Sequence, residues 1–286
     1  MTEALRPPLA ARFGHFARAL PPQAWVGGAL VGSFVLMAIF ADHIAPFDPN
    51  ASNIKLRLKP PGTEGHWLGI DTQGRDVLSR TIHGARASLI TGTMPVAISA
   101  AIAVPLGLAA AWFDRAGALV MRMMDVLFAF PMVLLAILLA AILGPGLPNL
   151  IIAMVLVLLP FNTRVAYTEA LSHREAPWVE AARALGTPVP RILLREVLPH
   201  VLAATIVYSM TIIGTIIITA AGLSFLGLGI QPPTPDWGLM TGEGRTVLNR
   251  APHVATVPGA AIFLLVTGFN LLGDGLRDAL NPGRQR

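Results

Sequence analysis

Charge is scarce in this chain and unevenly placed. Asp, Glu, Lys and Arg make up 13% of its 286 residues, against about 25% in a typical soluble domain. None of the four occurs in residues 19–41, 87–113, 126–163, 197–235 or 251–273, stretches that together hold 150 residues. A helix needs about 20 mostly apolar residues to cross a bilayer. These gaps argue against a soluble enzyme, a disordered protein and a nucleic-acid-binding domain, and they point to an all-α polytopic membrane protein. Cysteine is absent, which excludes disulfides, thiolate catalysis and Cys-ligated metal. Lysine occurs only as Lys55 and Lys59, and neither follows a glycine. The chain therefore has no Gly-Lys-Ser/Thr phosphate loop. If ATP drives its work, another subunit binds the ATP.

What is present divides into six expected spans. The first is Trp25–Ala41 and the second Ser88–Phe113. The 38-residue gap is too long for one crossing and contains Gly144-Pro145-Gly146-Leu147-Pro148-Asn149, a strong turn signal. It splits into a third span, Val126–Leu143, and a fourth, Leu150–Val165. The fifth is Val201–Leu223, closed off by Pro232, Pro233 and Pro235, and the sixth is Val257–Leu272. Arg6, Arg12 and Arg18 ahead of the run Trp25–Phe40 resemble a secretion signal. The long apolar run and the spans that follow favour an uncleaved first helix. With the N-terminus in the cytoplasm, the cytoplasmic segments hold 13 Lys and Arg against 8 outside, which predicts cytoplasmic N- and C-termini. The expected organisation is an N-terminal unit, 1–87 (tail, first span, long external loop), and a five-helix core, 88–286, with a cytoplasmic loop at 169–199.

That cytoplasmic loop is one of two polar regions that carry information. Pro177 suits a first helical turn, and Ala, Glu, Arg and Leu follow. Gly186 suits the position just past a helix end, where a left-handed backbone carries no Cβ strain. Thr187 is the expected cap of a second helix with Pro188 at its first position. Ile192, Leu193 and Val197 form that helix's apolar side. A stiff, angled helix pair between the fourth and fifth spans reads as a lever for a cytoplasmic partner. A loop without a partner and a DNA-binding helix-turn-helix share the Gly corner and the arginines. A loop pinned at both ends by a membrane docks poorly in a DNA groove.

The second region runs from Leu68 to Leu89. It reads as a Gly-rich turn followed by an amphipathic helix from Asp76, with Asp76 and Arg80 spaced to pair across one turn. Its residues serve either to anchor the second span or to contact solute or a solute-carrying protein.

These two regions carry a family resemblance. Glu180-Ala181-Ala182, with Arg183, Gly186 and the later Leu198-Pro199, resembles the EAA loop of the permease subunits of binding-protein-dependent ABC importers. Glu196 stands where that family has a hydrophobic residue. Asp71, Gly74, Arg75, Asp76, Ser79, Arg80, Gly84 and Arg86 are similar to the external signature of the dipeptide, oligopeptide and nickel subfamily, with Ile70 in place of the usual Thr. Leu223–Gly229, Gln231-Pro232-Pro233, Pro235–Gly238 and Phe269–Asp278 agree, and the long first external loop resembles the C-type subunit. The resemblance implies a type I importer fold in a bacterial inner membrane. It implies a second, homologous permease, two ABC ATPase subunits that bind ATP and Mg, and an extracytoplasmic solute-binding protein. It makes the EAA loop the ATPase-coupling site.

The uncharged spans offer few polar side chains. Tyr208, Thr211, Thr215 and Thr219 along the fifth suit either helix packing or a weakly polar pore wall. The expected function is passage of dipeptides, oligopeptides or peptide-like solutes, with nickel or a metal chelate as the alternative solute. The chain itself has no catalytic, metal or nucleic-acid site in this reading. A secondary transporter, the rival class, predicts buried charges and internal repeats, and the sequence shows neither.

Overall fold

Residues 20–280 are described by the computed structural model, and every element in them is helical. Pro22–Ile39 form α1, 18 residues long and apolar almost all round. At 1.5 Å per residue this is about 27 Å, close to the roughly 30 Å hydrocarbon core of a bilayer. Pro22 opens it because the N–H at a first helical position has no partner to lose. A short α2, Ala41–Ile44, leads into a long loop with a single 3₁₀ turn at Ile54–Leu56.

Asp76 then starts α3, Val77–Trp112, by accepting from the Ser79 N–H. The helix has 36 residues, about 54 Å, so it is longer than the membrane is thick. It joins two elements that the sequence pattern separated, the amphipathic helix from Asp76 and the second span. The division expected at residue 87/88 falls inside it.

The third span needs correction. Val126–Leu143 is not one helix: α4, Asp114–Phe128, ends before Pro131, and α5, Met132–Leu143, leaves it at 90°. Proline has no N–H to donate and disfavours a helical residue before it. Alone, the 12 residues of α5 reach only about 18 Å.

Helix α6, Leu147–Arg174, runs on past the expected end of the fourth span. The loop expected to be cytoplasmic follows as α7, Pro177–Ala184, and α8, Val189–Ile192. The second helix of the loop is not separate from the fifth span: α8 passes through one π-helical turn, Leu193–Val197, into α9, Leu198–Phe225. Its cap also differs from expectation, since Pro188 is the capping residue and Val189 the first helical one. A further helix, α10 (Trp237–Arg245), lies between the fifth and sixth spans where none was expected, and α11, His253–Leu280, ends the described residues. Among the described residues five stretches are long and apolar enough to span a membrane, or six with the bent α4–α5 pair counted as one. The expected N-terminal tail with Arg6, Arg12 and Arg18, and the end of the C-terminal tail, lie outside the described residues.

Two apolar cores stack within the bundle. One gathers Phe34, Val96, Leu150, Met154, Ile216 and Trp237 from α1, α3, α6, α9 and α10. The other joins Leu108 and Trp112 of α3 and Ala166 of α6 to Val179, Ile192 and Val197 of the cytoplasmic loop.

Candidate functional site

The loop between α6 and α9 is rooted in the bundle on one side and open on the other. Val179, Ile192 and Val197 are fully buried, so both arms of the loop are rooted in the second core. The Arg183 guanidinium lies over the Trp112 ring, 4.8 Å from its centroid. Arg174 donates to the Ala111 carbonyl and to Asp114, each at 3.1 Å. Between the arms Gly186 sits at φ +73° with open space around it, as expected for a left-handed helix stop.

The outward face is different. Glu180, Ala181, Gly186 and Pro199 are exposed, as is Arg183, while Ala182 and Leu198 are half-buried. Trp178 is 46% exposed and Leu185 85%. Residues three and four apart share a helix face, so Trp178, Ala181 and Leu185 form an apolar edge on α7 beside Glu180 and Arg183.

On the bundle side of the loop, α6, α9 and α11 line a half-open cavity of about 640 Å³. Tyr208 and Thr211 line it, as do Glu169, His200 and Arg277. Thr215 and Thr219 do not, although they continue the Tyr208–Thr211 stripe along α9 at helical spacing. The sequence pattern gave no sign of Glu169, His200 and Arg277 because each lies at the end of a span, where a charge looks like a boundary marker. The His200 ring lies tilted 4.5 Å from that of His173 and 6.2 Å from that of Trp178. His173 in turn contacts Glu169 at 3.2 Å.

The external residues are brought together in the interior. Asp71 and Arg75 are 3% exposed, Asp76 2% and Arg80 0%. Arg75 donates from Nε to Asp71 at 2.6 Å and from Nη2 to Glu243 of α10 at 2.9 Å. Asp71 also accepts from the backbone N–H groups of Gln73 and Arg75. Asp76 does not pair with Arg80, which corrects the reading from their spacing. Its carboxylate turns back to cap the Ser79 N–H at 2.6 Å and meets His66 at 2.8 Å. Arg80 instead has Nε 3.5 Å from Asp71 and donates to the Pro49 and Pro233 carbonyls.

The remaining motif residues seal the same region. The Ser79 hydroxyl accepts from the Phe47 N–H, and the Gly74 carbonyl from the Asn53 N–H. Gly84 lets the Trp237 indole close in, since a Cβ there would come within 2.7 Å of the ring. Trp237 Nε1 donates to the Thr81 carbonyl at 2.8 Å. Arg86 donates to the Ala38 carbonyl and to Asp42, and its bond to Asp42 holds that carboxyl below the usual range.

Comparison with known proteins decides the family. Residues 103–286 match the family described as binding-protein-dependent transport system inner membrane component, more than half of the chain. The chain belongs to that family. Residues 22–61 of the permease also match the N-terminal TM domain of oligopeptide transport permease C. The permease is 47% identical over 252 residues to the glutathione transport system permease protein GsiD of Escherichia coli O6:K15:H31. The alignment covers 87% of the permease and 82% of that protein. The GsiD protein of Pectobacterium atrosepticum is 43% identical over 256 residues, covering 89% and 85%. Membership makes the permease an inner-membrane component of an importer with ATPase and solute-binding partners.

Proposed function

We propose that the permease forms one half of the passage for peptides or peptide-like solutes in an ATP-driven importer, with α7 as the seat of an ATPase subunit. The carrying observation is the contrast within the cytoplasmic loop. Its underside is anchored in the core with α3 and α6, while its outer edge leaves Trp178 and Leu185 bare. An exposed apolar edge on a rigid base suits a protein partner. Glutathione, the solute in the names of the similar GsiD proteins, is itself peptide-like. In this reading a second, homologous permease completes the passage, two ATPases bind the ATP, and an external binding protein delivers solute.

The lever follows from chain continuity. ATP-driven closure of the ATPases presses on α7 and the Gly186 corner. Helix α8, the π turn and α9 form one helical rod from Val189 to Phe225, so movement at the corner carries Tyr208 and Thr211 with it. Docking at α7 also places both termini in the cytoplasm if the α4–α5 pair counts as one crossing, in agreement with the Lys and Arg distribution.

The test is purification of the assembled transporter with Leu185→Asp or Glu180→Lys. Both residues are exposed, so the permease should fold and reach the membrane at normal levels. Recovery of the ATPase, or solute uptake per ATPase recovered, should drop at least tenfold. Wild-type recovery and uptake in both variants would sink the lever.

A further inference from the structure

The cavity between α6, α9 and α11 has an unusual wall for a passage built from uncharged spans. Glu169 enters it from α6 and Arg277 from α11, with α9 between them. Glu169 also meets His173 at 3.2 Å, and the α9 wall runs from His200 through the small, neutral Ala203, Ala204 and Val207 to Tyr208 and Thr211. A carboxylate and a guanidinium thus flank a bed of small side chains with two hydroxyl groups at one end.

Opposite charges on separate helices around one cavity match a ligand that carries both signs. A purely anionic solute would meet Glu169 and a purely cationic one Arg277, each with repulsion. An ammonium fits a carboxylate, and a planar guanidinium accepts a carboxylate through two parallel hydrogen bonds. The volume, about 640 Å³, is in the range of small-molecule sites, roughly 300–1,000 Å³. The bed of alanines leaves room for side chains of different sizes without selecting among them.

We infer that this cavity is a holding station for short zwitterionic peptides, with the free amino end at Glu169 and the free carboxylate end at Arg277. This rests on the peptide reading above and adds to it the part of the solute that the permease itself reads: the two charged ends, not the side chains. The station also adjoins the coupling helix. His200 belongs to the cavity wall and stands beside Trp178 of α7, so the movement that drives α9 also reshapes the wall that holds the peptide.

The experiment uses the complete detergent-purified transporter without its binding protein. It measures equilibrium retention of radiolabelled triglycine and of N-acetyl-triglycine amide, which lacks both end charges. Wild-type transporter should retain triglycine at least tenfold more tightly than the capped peptide. Glu169→Gln and Arg277→Gln should each remove most of that preference, and the double variant all of it, with ATPase recovery unchanged. Equal retention of the two peptides by the wild type, or an undiminished preference in the double variant, would overturn the station. Peptide uptake into vesicles carrying the whole system separates the two readings. Uptake without triglycine retention overturns the station alone, and absence of any peptide uptake overturns the peptide reading on which it rests.

Discussion

The permease has two charged islands of similar size, residues 64–87 and 169–196, and they are built in opposite ways. In the external island Asp71, Arg75, Asp76 and Arg80 are buried, and their partners come from His66, Glu243, Pro49 and Pro233. In the island at 169–196 buried apolar residues, Arg174 and the Arg183–Trp112 contact provide the anchorage, while Glu180, Arg191, Arg195 and Glu196 face outward. Charge buried among its own loops fixes the permease's internal geometry. Charge left outside next to a bare Leu185 is available to another subunit. The island at 64–87 therefore ties the first loop to α10 as a lock, and in the proposed function the one at 169–196 is the surface through which force enters.

The strongest way to break this contrast is to remove one ion from each side. Asp71→Ala leaves Arg75 and Arg80 without their shared buried carboxylate. Removing one partner of a buried pair costs about 3–5 kcal/mol, so the solubilised permease should melt well below wild type and its external loop should become sensitive to protease. Glu180→Ala, at an exposed position, should shift stability by no more than about 0.5 kcal/mol. Equal melting of the two variants would erase the distinction between lock and lever.

Much of this was legible in the sequence, and the limits have physical causes. The missing charge located the membrane helices because the bilayer imposes it. Gly186 was readable because a left-handed corner is a local property. The break before α5 was not legible at Pro131, because unbroken hydropathy on either side hides a bend. Helix α10 escaped because three glycines in nine residues, from Trp237 to Arg245, suppress its propensity. Its local signal is Asp236, which caps the Leu239 N–H at 2.9 Å. The pairing of Asp71 with Arg80, and the meeting of Glu169 with Arg277 at one cavity, depend on how the loops and helices fold back on one another. No local spacing encodes such meetings, and Asp76 with Arg80 shows that a favourable spacing can mislead.

The lever side is sharpened by two substitutions at one residue. Gly186 has φ +73°, and no atom lies within 4 Å of the point a Cβ would occupy, so Gly186→Ala meets no clash. It incurs only the left-handed backbone strain, about 1–2 kcal/mol, and should keep most transport. Gly186→Pro cannot hold the corner at all, because proline fixes φ at about −65°. Solute-stimulated ATP hydrolysis and uptake should then separate or disappear. If proline transports like alanine, the corner does not transmit force.

The smallest effect tests whether every buried charge on the external side belongs to the lock. Asp236 is buried beside Ser88 and the start of α10, and burial pushes its carboxyl above the usual carboxylate range. Its task is to cap α10, which needs an oxygen acceptor and not a charge. The sign follows from the raised value. The folded state holds this proton more tightly than the unfolded chain does, so the cost of burying the charge is present above the folded pKa. That cost fades as pH falls through it towards the unfolded value of about 3.9. Asp236→Asn keeps the acceptor and removes the charge, so at pH 8 it should be as stable as wild type or slightly more so. Its advantage should shrink as melting is measured at successively lower pH. Asp236→Ala loses the cap and should cost about 1 kcal/mol across the range. If the Asn variant is instead weakened as severely as Asp71→Ala, Asp236 is a charged member of the lock and the external island is larger than its ion pairs indicate.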